Sequence, residues 1–131
     1  MRREPSPQED ELAKRVIGAA IEVHRCLGPG FLERIYEEAL AIEMDLQGIP
    51  FERQYSVSVP YKGQFIGEGK LDFLVGRQLV LEIKAADTFS ELHRAQVISY
   101  LKVTKLCLGL LINFQVPVLK DGIKRVIYSG S

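Results

Sequence analysis

The stretch Lys70-Leu71-Asp72-Phe73-Leu74-Val75-Gly76-Arg77-Gln78-Leu79-Val80-Leu81-Glu82-Ile83-Lys84 governs the reading of the whole chain. Two apolar runs flank Gly76-Arg77-Gln78, a short polar loop containing glycine, so the stretch reads as a β-hairpin. Side chains alternate faces along a strand, and Glu82 and Lys84 therefore project from one side. A three-residue loop pairs Val75 with Leu79. Counting back along both strands then sets Asp72 directly opposite Glu82, where Cβ atoms lie about 4.5–5.5 Å apart. A five-residue loop keeps that parity, whereas a two- or four-residue loop throws Asp72 to the other face.

Two carboxylates and an ammonium on one patch of a half-buried sheet repel, lose hydration and need compensation. A hard divalent cation supplies it, because Mg²⁺ typically takes one or two carboxylates and keeps several waters, with room for a phosphate. The plain alternative is a cross-strand salt bridge between Lys84 and one of the acids. Leu79-Val80-Leu81-Glu82-Ile83-Lys84-Ala85-Ala86 is too apolar for a solvated strand, which argues that Glu82 is not on an open surface.

The chain has 131 residues, enough for one core and too few for a catalytic domain plus a second module. Lys+Arg and Asp+Glu are 17 each, so net charge does not advertise a nucleic-acid partner. Cys26 and Cys107 stand far apart in apolar surroundings without CxxC spacing. They read as buried free thiols of a reducing compartment, which places the chain in the cytoplasm. No run of about 18 apolar residues suggests a membrane span, and the polar N-terminus is unlike a signal peptide.

Residues 1–9, charged and containing Pro5 and Pro7, read as a flexible tail before a single domain over 10–131. Leu12, Val16, Ala19, Ala20, Val23 and Leu27 recur at helical spacing from Asp10 to Leu27, and Gly28-Pro29-Gly30 turns the chain. A second helix is expected from Phe31 to Gln47, with Leu32, Ile35, Ala39, Ile42 and Leu46 on its apolar face. Tyr55, Val57, Val59 and Tyr61 mark a strand, and Lys62-Gly63 turns it into the run leading to Asp72. Thr88 with Glu91 forms a plausible capping box for a helix ending near Lys105. Leu106 to Phe114 reads as a central buried strand and Ile123 to Tyr128 as a last short one. The order is ααβββαββ, an α/β or α+β domain around one mixed sheet flanked by helices.

On the second helix, Glu33, Leu40 and Met44 fall near one edge of the apolar arc, with Tyr36 well inside it, so Glu33 is turned partly inward, unlike Glu37 or Glu38. It could reach a metal or its water on the sheet, or could simply favour the helix N-terminal dipole. On the third helix, His93, Gln96 and Tyr100 share a face rich in hydrogen-bonding groups, suited to phosphates or bases. Equally, Tyr100 could be core and Gln96 solvated.

Gly30-Phe31-Leu32-Glu33-Arg34-Ile35-Tyr36 resembles the pattern that names the GxxExxY proteins, a group within the PD-(D/E)XK nuclease superfamily. Ile17 to His24, Leu27 to Gly30, Ile49-Pro50-Phe51, Tyr61-Lys62-Gly63 and Leu108 to Phe114 are also similar to that family, so the likeness covers roughly residues 12 to 128. It implies a restriction-endonuclease-like core whose signature falls on Asp72 and Glu82-Ile83-Lys84, with Leu71 where the superfamily name has proline. Glu33 matches a first-helix glutamate, and Gln96 with Tyr100 resembles the QxxxY element of RecB-like nucleases.

The implied activity is metal-assisted hydrolysis of phosphodiester bonds in nucleic acid, with DNA the expected form. Asp72, Glu82, the backbone carbonyl of Ile83, and Glu33 directly or through water would hold Mg²⁺ or Mn²⁺. Lys84 would orient the attacking water, while Gln96, Tyr100 and His93 position the strand. A homodimer could line the basic cleft that a neutral monomer lacks. The alternative of another class is a nuclease-fold module that binds nucleic acid or a protein partner without cutting.

Overall fold

Apolar residues on both faces of two adjacent strands require a layer of helix on each side, and the computed structural model, which describes residues 3–130, has that arrangement. The elements are α1 (Pro7–Leu27), α2 (Glu33–Leu46), β1 (Phe51–Tyr61), β2 (Gln64–Val75), β3 (Leu79–Lys84), α3 (Glu91–Thr104), β4 (Leu108–Asn113) and β5 (Ile123–Ile127). A short 3₁₀ turn, Leu119–Gly122, precedes β5. The order is thus ααβββαββ, as the sequence indicates, around one mixed five-stranded sheet with strand order β1-β2-β3-β4-β5. Only β3 and β4 run parallel, joined by the α3 crossover. Among the described residues no helix is long and apolar enough to cross a membrane.

Alternation along β3 and β4 sorts their side chains into two cores. Leu79, Leu81, Ile83, Leu108, Leu110 and Ile112 pack beneath α1 and α2. Val80 and Leu111 face α3, whose Val97 and Leu101 complete the smaller core with Leu71, Leu74 and Val126. Gly109 sits under α3 because a Cβ there would fall 2.6 Å from a Val97 methyl carbon. Glu82 shares the α3 side with Val80 by the same alternation.

Several boundaries and faces differ from the sequence-based expectation. α1 starts at Pro7, not Asp10. Ser6 accepts the Glu9 N–H and Glu9 accepts the Ser6 N–H, and Pro7 occupies a first-turn position where its missing N–H is not needed. Arg3 pairs with the buried Glu9 at 2.7 Å, and its N–H donates to the Ser129 carbonyl, so residues expected to form a tail make contacts with the domain from residue 3. Residues 1, 2 and 131 lie outside the described residues. Cys107 is buried, but Cys26 is exposed on the last turn of α1, on the side away from the core.

The apolar face expected for α2 is also not the one it buries. Tyr36, Leu40, Ala41 and Met44 enter the core, whereas Leu32, Ile35, Ile42 and Leu46 are exposed. Tyr36 decides the orientation. Its ring stacks on Phe114 with centroids 4.6 Å apart, and its hydroxyl donates to the Gly28 carbonyl and accepts the Phe31 N–H. The α3 cap is likewise Ser90 with His93, not Thr88 with Glu91.

Candidate active site

The loop Gly76-Arg77-Gln78 is three residues long, and Val75 pairs with Leu79, Leu74 with Val80 and Phe73 with Leu81. The regular ladder stops there. At the next position the Asp72 N–H donates to Glu82 Oε2 at 2.7 Å, and the Ile83 N–H donates to Asp72 Oδ2 at 2.7 Å. Each carboxylate thus replaces a main-chain acceptor on the opposing strand, and the two acids cross-clasp where β2 and β3 part. The N–H and C=O of one strand residue point to the same neighbour, so the Ile83 carbonyl also faces this gap.

The strands are irregular here for a reason visible on β1. Gln54, opposite Asp72, has φ +50°, while Arg53 and Tyr55 on either side pair with Phe73 and Leu71. Across this point the pleat changes face. Phe73 belongs to the core under α1 and α2, and Leu71 to the core under α3. A non-glycine residue in the left-handed region is strained, and this one sits beside the carboxylate pair.

Burial sets the electrostatics. Glu82 is 3% exposed, and loss of hydration, then the charge of Asp72, push its carboxyl from 4.5 to about 8. Asp72 rises from 3.8 to about 6, first through burial, against the Ile83 N–H, which favours its charged form. The negative charges of Glu37 and Glu33 raise it further, and Lys84 opposes them. Two carboxylates that resist ionisation without a cation and one strand carbonyl form a hard, oxygen-only set beside the Lys84 ammonium. That set fits Mg²⁺ or Mn²⁺, ions content with few protein ligands and several waters. Among the described residues no three His, Cys, Asp or Glu side chains converge as a complete cage.

Lys84 ends β3 beside α3, and its Nζ donates to Gln96 Oε1 at 3.4 Å. The two line an open groove of about 470 Å³ with His93, Leu92 and Ser99. His93 is committed to the helix cap: its Nδ1 accepts the Ser90 N–H at 3.3 Å, leaving only Nε2 for another partner. Tyr100 lies over β2 at Gly69, where a Cβ would fall 2.7 Å from its Cε1. Burial, then the nearby charge of Glu82, raise the Tyr100 hydroxyl. Gln96 therefore lies beside Lys84, and Tyr100 close enough to the carboxylate pair for the charge of Glu82 to act on it.

Glu33 behaves differently from the expectation that it turns inward. It is exposed on the first turn of α2, although both Asp72 and Glu82 feel its charge. Glu37, one turn on and expected to face outward, is the half-buried one. It accepts from Arg53 Nε at 2.9 Å and from Gln54 Nε2 at 3.0 Å, and its charge acts on Asp72 more strongly than that of Glu33. The reason is the same rotation of α2 that buries Tyr36.

Asn113 is a second residue that reading the sequence overlooks. It is the parallel partner of Lys84, and its side chain donates to the Ala86 carbonyl at 2.7 Å and accepts the Ala86 N–H at 3.0 Å. It thereby fixes the backbone leaving the Lys84 strand. A lone amide ending the apolar run Leu108 to Ile112 is the signal that marks it.

A family model described as the PD-(D/E)XK nuclease superfamily matches residues 10–126. Among solved structures, one titled "Crystal structure of SSO0001" superposes with a TM-score of 0.54 at 18% identity, covering 95% of this chain and 59% of that one. At that identity the likeness speaks for the fold alone. This chain spans less than two thirds of that structure's length. A comparison with curated proteins gave no match.

Proposed function

The chain belongs to the PD-(D/E)XK nuclease superfamily, and from that premise we propose that it is a metal-dependent phosphodiesterase of nucleic acid, with DNA as the substrate. The observation that carries the reading is the cross-clasped pair Asp72 and Glu82, both held above ordinary carboxylate pKa values, with Lys84 on the same strand face. A purely structural ion pair would instead stabilise its carboxylates in the charged form.

Asp72, Glu82 and the Ile83 carbonyl would hold Mg²⁺ or Mn²⁺, with Glu33 joining through water. The bound cation supplies polarisation of the phosphate and acidification of a coordinated water. Lys84 does the rest from the protein side. Its ammonium, steadied by Gln96, donates to the attacking water or a non-bridging phosphate oxygen and balances the charge that builds on phosphorus. Gln96 and the free Nε2 of His93 offer contacts along the groove beside Lys84, and Tyr100, over β2 at Gly69, adds another, which together would position the strand.

A panel of single-stranded, double-stranded and branched DNA and RNA, incubated with Mg²⁺, Mn²⁺ or EDTA, tests this directly. Cleavage should need the cation and disappear in a folded Lys84→Ala protein. Binding without cleavage across the panel would instead establish the non-cutting module, a reading that the equal counts of acidic and basic residues, 17 each, favour over a tight non-specific nuclease.

A further inference from the structure

Leu32, Ile35, Ile42 and Leu46 of α2 are exposed, and with the half-buried Ala39 between them, which also packs against the core, they are spaced by three and four residues in alternation. That is the a/d spacing of a helix–helix seam. Leu32 is 65%, Ile35 37%, Ile42 56% and Leu46 76% exposed. The seam runs about 21 Å at 1.5 Å per residue. A contiguous apolar ridge of this kind on a surface marks an interaction site.

We infer that this ridge is the interface of a homodimer, with α2 packed antiparallel against α2 of a second copy across a two-fold axis. The order of side chains identifies the occupant. Leu-Ile-Ala-Ile-Leu reads the same in both directions about Ala39, so an antiparallel partner centred there sets Leu32 against the partner's Leu46 and Ile35 against the partner's Ile42. The small Ala39 falls on the axis, where the backbones come closest. A two-fold interface requires this self-complementarity.

Charge fixes the direction. Arg34 and Asp45 flank the ridge on one side, near opposite ends of the helix. Antiparallel packing brings Arg34 of each copy beside Asp45 of the other, whereas parallel packing sets each flank against the partner's opposite flank and makes no such pair. The other acids on that flank and beneath it, Glu37 and Glu38, are already paired with Arg53. Because α2 is ordered by its core-facing side, association does not have to fold the helix first. The seam residues lie off the Asp72 and Glu82 pair, and the inference stands independently of the catalytic reading.

Sedimentation velocity of the full chain at about 100 μM, above a micromolar Kd, gives the test. The wild type should be dimeric. Leu46→Lys should weaken the dimer on the order of a hundredfold, because each dimer carries the change twice, with the circular dichroism unchanged. Arg34→Asp and Asp45→Arg should each weaken it about two- to fivefold, and the double exchange should restore it. A monomeric wild type, a dimer that survives Leu46→Lys, or a double exchange no tighter than the single ones would overturn the assignment.

Discussion

Replacing Glu82 by Gln tests the buried-acid account of the site without any substrate. The amide keeps an oxygen for the Asp72 N–H but cannot ionise. Glu82 has its carboxyl pushed from 4.5 to about 8 in the fold, so its stabilising contribution is complete below about 4.5 and is lost as pH rises through about 8. Over that window the folded state holds one proton more than the unfolded state. One pKa unit corresponds to roughly 1.4 kcal/mol, and between pH 6 and 8 the metal-free wild type should therefore lose up to roughly 3 kcal/mol through this group alone. Asp72 adds its share lower, between about 4 and 6, by the same sign. Denaturant titrations in EDTA at pH 6, 7 and 8 measure the effect, and the difference between wild type and Glu82→Gln cancels the titrating groups that do not interact with Glu82. The variant should be flatter with pH and more stable at pH 8, and added Mg²⁺ should stabilise only the wild type. Parallel loss of stability in the two proteins would refute the reasoning.

Lys84→Ala should lower the rate of cation-dependent cleavage by on the order of 10²–10³, the loss typical of a donor aimed at developing charge, without weakening cation binding; steady-state kinetics and calorimetric titration check the two halves. Asn113→Ala strips the Ala86 N–H and carbonyl of their partners and should cost about 2–4 kcal/mol in chemical denaturation. Gly69→Ala drives a methyl into the Tyr100 ring and should destabilise by about 1–3 kcal/mol. Adding Tyr100→Ala should cost less in that background than in the wild type, a coupling that a double-mutant cycle reads out.

The carboxylate pair was legible because strand parity is a strict rule: once Gly76-Arg77-Gln78 is the loop, Asp72 has to meet Glu82. The apolar run of β4 announced itself in the same way. The rotation of α2 was not legible, since that helix carries two apolar stripes. Tyr36, Leu40 and Met44 recur every fourth residue as convincingly as Leu32, Ile35, Ile42 and Leu46 do. The choice between them is made by Phe114, far along the chain, whose ring Tyr36 stacks upon. The same rotation exchanged the expected positions of Glu33 and Glu37. At α3 the sequence pointed to Thr88 with Glu91, but Ser90 with His93 is the cap.

The cross-clasp has an evolutionary corollary. Asp72 and Glu82 each close an opening in the main-chain ladder that no other group fills, so drift at either position is punished whether or not the protein cuts anything. Lys84 donates to Gln96 alone among side chains and carries no comparable duty to the sheet. In a lineage released from catalysis, the lysine should vary first, while the two acids should persist or soften only to their amides. Under that expectation, retention of Lys84 alongside the two acids is the sharper sign of selection for chemistry.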